Sequence, residues 1–333
     1  MFLAQVGSTS TEILISKIVD GLALGAVYAL LALGFVIIYK ATQVLSFAHG
    51  ALSAVGAYLV SYFAVVWNIG GRVAGGAPQT IQFFISAIVG IAAAAVVGIV
   101  IERLFIRPMI GQPIFSIAMI TIGLDIMLRT IGNDFIGQGA NRSLGQTSLA
   151  TGDTIGAPWG LTNFDLGGIT IPHSYLATIV VAVFAMVGLA LFFRSRTGIA
   201  MRATAFDQEA AMAQGISAGR IFALAWGIGA ALAAIGGAFA AIPPRNFGVN
   251  NFTAFIALRA FPAIILGGLD SIIGAVVGGF AIGLAEVLTG HYLASFTDTI
   301  GIGFNTIVPY LLMLLVLVVK PYGLFGTPEI RRV

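Results

Sequence analysis

The chain has 333 residues, of which 59% are hydrophobic and only 9% charged, and its mean hydropathy is +1.02. A soluble domain carries about 25% charged residues, so this composition excludes one and indicates a polytopic membrane protein. Cysteine is absent, which excludes disulfides and thiolate metal sites, and the count of three histidines argues against a His-rich metal site. The net charge of +3 is read as loop Lys and Arg, not as a nucleic-acid surface.

A membrane span needs about 20 apolar residues. The N-terminal stretch lacks the basic segment of a signal peptide, so the first span, Ile18–Tyr39 ending at Lys40, is expected to be retained. A second run, Val44–Val66, is interrupted by Ser46, His49, Gly50 and Ser53. Further spans are expected at Ile81–Phe105, ending in Arg103 and Arg107, and at Ile114–Ile136, which contains Asp125 and Arg129. These two are four residues apart, so they share a helix face and can pair.

Residues 137–173 form the longest polar loop, with Asp153 and Asp165 against Arg142. Tyr175–Phe193 is a fifth span and Ile221–Ile242 a sixth, ending at Pro243–Pro244–Arg245. Between them lies Arg194–Arg220, which carries four arginines and two acids. Its middle, Ala203–Gln214, has helix-forming composition. Thr204 is a candidate cap, Asp207 and Glu209 suit the positive helix start, and Gly215 suits a left-handed stop. By itself the stretch is either a short helix held between two spans or a solvated connector.

Residues 252–290 are too long for one span and too apolar for a loop. Pro262 and the turn Gly267–Gly268–Leu269–Asp270–Ser271 divide them into two short or re-entrant segments, Thr253–Leu266 and Ile272–Leu288. Glu286 falls near the outer end of the second, where it can simply reach the interface. The last span is Thr306–Val319, and a basic tail, Arg331–Arg332, closes the chain. The expected fold is an all-α membrane protein of about nine crossings, within a range of eight to ten, forming one transmembrane domain over 1–333. The basic residues mark the cytoplasmic face and the acidic-leaning loop the other. Interrupted segments in each half, Ser46–Val60 and Leu266–Phe280, hint at a repeat with a transport site between.

No GxxxxGK[ST], HExxH or GxSxG element lies in a suitable context. That leaves polar residues inside spans, which are costly in lipid and often functional. His49 and its neighbours Phe47 and Gly50, together with Asp125, are candidates for a pathway; the alternatives are a packed histidine and a neutral internal pair. Asp270 is a turn former. Three function classes remain: a permease of a multi-component system, an autonomous channel or ion-coupled carrier, and an intramembrane enzyme.

Three segments in order resemble one family, the LivH-like inner-membrane permease subunits of branched-chain amino acid ABC transporters. They are 20–59, containing Ser46-Phe47-Ala48-His49-Gly50; Thr197-Gly198-Ile199-Ala200-Met201-Arg202-Ala203 with Asp207, Gly215 and Ile216; and Arg259-Ala260-Phe261 through Gly267-Gly268-Leu269-Asp270-Ser271, then Gly278-Gly279 and Glu286. The chain departs from the family pattern at Ser46, where an Asn is usual, and at Arg259, where a Lys is usual. The resemblance implies a multi-pass protein of the bacterial inner membrane with no cofactor and no catalysis of its own. It implies a second permease subunit, paralogue or copy, two cytoplasmic ATPases, an extracytoplasmic binding protein docking on loops 68–79, 137–173 and 243–252, and lipid around them. The solute is a branched-chain amino acid or a related small polar molecule such as an amide or urea. Residues 194–220 then become the ATPase-coupling loop, with Arg202, Phe206, Asp207, Glu209, Ala210, Ala213 and Gly215 as its working residues. Phe206, Ala210 and Ala213 are expected on one stripe, and the arginines as anchors to anionic lipid.

Overall fold

A computed structural model describes residues 10–109, 112–137, 163–166, 169–242, 253–294 and 304–327. Most of loop 137–173, the 243–252 link and the Arg331–Arg332 tail lie outside the described residues. The helices are α1 (Ser10–Thr42), α2 (His49–Ser61), α3 (Ile69–Val73), α4 (Gln79–Ile101), α5 (Ile114–Ile131), α6 (His173–Arg194), α7 (Arg196–Phe206), α8 (Gln208–Ala213), α9 (Ala218–Ala241), α10 (Thr253–Gly267), α11 (Ile272–Tyr292) and α12 (Phe304–Val319). Strands β1 (Asn163–Leu166) and β2 (Ile169–Pro172) form an antiparallel hairpin ahead of α6, with Asn163 opposite Pro172.

Among the described residues seven helical stretches are long and apolar enough to cross a membrane, and α10 and α12 are shorter apolar helices. Together they occupy the nine expected positions. With 15 and 16 residues, α10 and α12 reach only about 22–24 Å at 1.5 Å per residue, short of the ~30 Å hydrocarbon layer. Both also contain a proline, Pro262 and Pro309. Pro262 has no N–H for the Leu258 carbonyl four residues earlier. The Tyr310 hydroxyl of α12 donates to that carbonyl instead, at 3.2 Å.

Helix α1 is the centre of the bundle. Its run from Ala26 to Ile38 is almost wholly buried, and α6, α9, α10 and α11 pack around it. At 33 residues it is about 50 Å long, well beyond the apolar run Ile18–Tyr39. The extension carries Glu12 and Lys17 at one end, and Lys17 pairs with Asp20 at the start of the apolar run. At the other, Gln43 turns left-handed (φ 56°) and stops the helix. The α1–α11 crossing is set by glycine. A Cβ on Gly283 would lie 2.3 Å from the Gly25 nitrogen, so the two backbones touch where any side chain would hold them apart.

The arginine-rich ends of the helices are tied together. Lys40 donates to the Asp270 carbonyl at 3.0 Å. The Asp270 carboxylate accepts from the Thr327 backbone and hydroxyl. Leu324 and Phe325 donate through their amides to the carbonyls of Leu266 and Gly267, at 2.8 and 3.0 Å. The Gly267–Gly268–Asp270 turn is therefore a structural corner, as its sequence suggests. Gly268 takes φ +108°, and Ser271 caps α11 through the Gly274 amide.

Candidate functional site

The break between α1 and α2 builds a cavity. Residues 43–48 leave the helical path, held by Thr121 of α5, whose hydroxyl accepts from the Phe47 amide at 3.2 Å. Helix α2 then starts at His49 with no side-chain cap. The cavity is small, with about 30 Å³ that the centre of a water molecule can occupy. One wall is apolar, from Leu31 and Phe35 of α1 and Phe261 and Ile264 of α10. The other presents Ser46, Phe47, His49, Gly50 and Arg129. Phe47 stacks on Phe261 with ring centroids 6.4 Å apart, and Phe35 meets both Phe261 and His49 edge-on.

The His49 ring is 3% exposed, and its Nε2 is 2.9 Å from the Leu31 carbonyl. A carbonyl only accepts, so Nε2 carries the proton. In the neutral ring Nδ1 is then a bare acceptor, and it has no hydrogen-bond partner; neither does the Ser46 hydroxyl, 1% exposed. Phe47, His49 and Gly50 all line this cavity. Asp125 is not among the lining residues. It pairs with Arg129 at 2.8 Å. It is Arg129 that reaches the cavity, its guanidinium 4.8 Å from the centre of the Phe255 ring.

A second buried group lies deeper, where reading the sequence misses it. Glu286 does not reach an interface. It is 4% exposed, accepts from the Tyr28 hydroxyl at 2.7 Å and pairs with Arg259 at 3.2 Å. Tyr28 is 258 residues away in sequence, so no local pattern reveals the contact. The only signal is three polar groups inside apolar runs that each need a partner.

Residues 194–220 fold as two short helices, α7 and α8, not one. Ser195 caps α7 through the Gly198 amide at 3.2 Å. A Cβ on Gly198 would lie 2.2 Å from the Phe192 carbonyl oxygen, which fixes the tight entry from α6. Thr204 is not a cap. It is buried in the last turn of α7, and its hydroxyl donates to the Ala200 carbonyl. The cap of α8 is Asp207, extended at φ −153°, whose carboxylate accepts from the Ala210 amide at 2.9 Å. Gly215 ends the segment at φ +83°. The break at Asp207 also splits the expected stripe: Phe206 ends α7, while Ala210 and Ala213 belong to α8. All three are exposed, as are Arg202 and Glu209, and Phe206 is 94% exposed. Met201 and Ala211 face inward and hold the pair to the bundle.

Residues 17–317 match the family described as branched-chain amino acid transport system/permease component. The chain belongs to this permease family. It is 31% identical to the high-affinity branched-chain amino acid transport system permease protein LivH of Escherichia coli (strain K12), over 96% of this chain and 97% of that one. It is 31% identical to BraD of Pseudomonas aeruginosa, over 96% and 98%. The probable permease LivH of Methanocaldococcus jannaschii is 28% identical over 89% and 88%. A structural likeness to PsaBC from Streptococcus pneumoniae in complex with Fab has a TM-score of 0.44 at 15% identity over 91% of both chains. The permease is a transport component that crosses the membrane many times.

Proposed function

We propose that this permease is the membrane subunit of an ATP-driven importer in a bacterial cell membrane. It pairs with a second permease subunit and two separate ATPases, and receives solute from an extracytoplasmic binding protein. ATP hydrolysis takes place on the ATPases. The solute is a branched-chain amino acid or a close relative, as the relatives' names suggest. The path runs by the cavity at the start of α2, with Phe47, His49 and Gly50 on its wall and Asp125 holding Arg129 in place.

The observation that carries the reading is Phe206. A phenylalanine 94% exposed, at the joint between two capped helices on the arginine-rich face, has no role in the fold of the isolated chain. It suits insertion into a groove on a soluble partner. With Glu209, Ala210 and Ala213 beside it, the α7–α8 pair is a rigid lever: movement of the ATPase shifts α6 and α9, which flank it. Arg202, with Arg194, Arg196 and Arg220, holds the lever at the anionic leaflet.

The test is Phe206→Asp in the reconstituted transporter. Assembly of the membrane subunits should be unchanged, because the side chain is exposed. ATP-driven uptake, and stimulation of ATPase activity by the loaded binding protein, should be lost. Unaltered uptake by an assembled variant would overturn the coupling role.

A further inference from the structure

Two of the long spans turn an outer face without charge to their surroundings. The large exposed side chains include Ile88 and Val96 on α4, and Val180 and Phe184 on α6, and lipid tails suit such faces. The face shared by α5 and α10 is different. The Arg129 guanidinium, over the Phe255 ring, joins the two helices. The exposed apolar residues there are Ile122 and Ile126 of α5, Phe255 and Leu258 of α10, and Phe47 of the α1–α2 break. Beside them stand charged groups. The side chains of Arg129 and Asp125 are 21% and 15% exposed, and Arg259 of α10, which pairs with Glu286, is 35% exposed. These groups sit deep in the membrane. Arg129 lines the same cavity as Leu31, which lies well inside the apolar run of α1, and Asp125 is the central residue of the span Phe115–Phe135. Lipid tails make no hydrogen bonds, so partly exposed charges at this depth call for cover by protein, or by water that protein encloses. A water-filled furrow also needs a second protein wall, because lipid would otherwise fill it.

Building on the permease reading above, we propose that the α5–α10 face is the surface against which the second permease subunit packs. Of the partners in that reading, the ATPases and the binding protein are soluble and do not reach the middle of the membrane, so the occupant is the other membrane subunit. The charges on the face fit a partner of the same fold. Under a two-fold axis a patch meets its own counterpart. An Asp–Arg pair is self-complementary in that setting, since the cation of one subunit comes to face the anion of the other. Each pair is neutral, so bringing two together adds no net charge within the membrane. Phe47 and Leu258 are the exposed residues among those lining the small cavity at the α1–α2 break, so the same partner completes the wall of that cavity. The apolar faces of α4 and α6 are left to lipid.

The test is photo-crosslinking in the complete transporter. The photoreactive residue p-benzoylphenylalanine replaces Ile126 or Leu258 on the proposed face, and Ile88 or Phe184 as controls, all four being exposed in this chain. The transporter is irradiated in its membrane and purified, and the adducts are identified by mass spectrometry. Ile126 and Leu258 should yield this chain joined to peptides of the second permease subunit, and the controls should yield no such adduct. Absence of the adduct at both Ile126 and Leu258, or an equal yield from Ile88 or Phe184, would overturn the proposal. A second readout needs no bulky residue. Because the chain has no cysteine, Ile126→Cys and Phe184→Cys each give it a single thiol. In the assembled transporter a lipid-soluble maleimide should label Phe184→Cys and spare Ile126→Cys, and equal labelling would overturn the proposal even where a photoreactive variant fails to assemble. A transporter that contains a second permease subunit and takes up solute, but crosslinks only from the control positions, removes this face and leaves the permease reading standing. A purified, active transporter with no second permease subunit removes that reading itself.

Discussion

Arg107 holds Glu102 with two parallel hydrogen bonds, of 3.1 and 2.9 Å, and the same guanidinium reaches the Gly219 carbonyl at 2.7 Å. Glu102 has no exposed side-chain surface. It follows α4, on a π-helical turn over Glu102–Ile106, and Gly219 lies in the first turn of α9. One side chain therefore joins the end of α4 to the helix that leaves the α7–α8 segment.

Arg107→Ala removes the partner of a fully buried carboxylate. An unpaired buried charge costs about 3–5 kcal/mol, whereas replacing both partners by apolar groups of similar size can be nearly neutral. Arg107→Ala is expected to lower the melting temperature of the detergent-solubilised protein sharply. Glu102→Met/Arg107→Met should recover most of the loss. If the single variant melts like the parent, the pair contributes nothing to stability.

The Tyr28–Glu286–Arg259 group obeys the same rule with a third member. Arg259→Lys keeps the charge and is expected to assemble. Arg259→Ala leaves Glu286 with only the Tyr28 hydroxyl, and should cost about 3 kcal/mol or more. Tyr28→Phe removes one hydrogen bond to a charged group, worth about 1.5–3 kcal/mol. A double-mutant cycle on Tyr28 and Arg259 should give non-additive losses, since both act on one carboxylate. Additive losses would show that they act independently.

How far these features are legible in the sequence depends on their range. The Asp125–Arg129 pair is, because four residues is one helical turn. So are the Gly267–Gly268 corner and the Gly215 stop, because a positive φ selects glycine locally. The start of α8 is only half legible. Thr204 and Asp207 are both good caps, and the choice falls to Asp207 because Thr204 is buried within α7, where its hydroxyl is satisfied by Ala200. Glu286 and Glu102 are not legible. Their environments come from helices distant in sequence, and a carboxylate near a span end reads the same whether it faces lipid headgroups or an arginine. The central place of α1 is likewise hidden, since its apolar run looks like any other span and its burial depends on what packs around it.

The Asp207 cap separates stability from coupling. Asp207→Ala leaves the Ala210 amide without its acceptor and should cost about 1 kcal/mol, confined to a segment at the edge of the bundle. Replacing Asp207–Ala210 with glycines goes further, adding nearly 1 kcal/mol per glycine introduced into the helix. In both, the membrane subunits should still assemble. ATP-driven uptake should fall moderately in the first and disappear in the second, in the order of lost helix rigidity. Equal uptake by all three proteins would show that the segment needs no preformed helix.

The α1–α11 crossing gives the most severe single-atom test. At Gly283 an added Cβ would meet the Gly25 nitrogen and Cα at 2.3 and 2.4 Å. These are backbone atoms in the central helix, so neither can rotate away, and the helices must separate. Separation would undo the close packing on which helix association in lipid depends, and it would pull Glu286, one turn along α11, away from Tyr28. Gly283→Ala is therefore expected to abolish the assembled protein. Gly123→Ala is the control. It is also a helical glycine, in α5, but its Cβ would meet nothing within 4 Å, so the variant should assemble and melt like the parent. Measuring both by size-exclusion profile and thermal stability isolates the contact from the general effect of alanine in a helix. A well-assembled Gly283→Ala protein would mean that the glycine contact does not hold the crossing together.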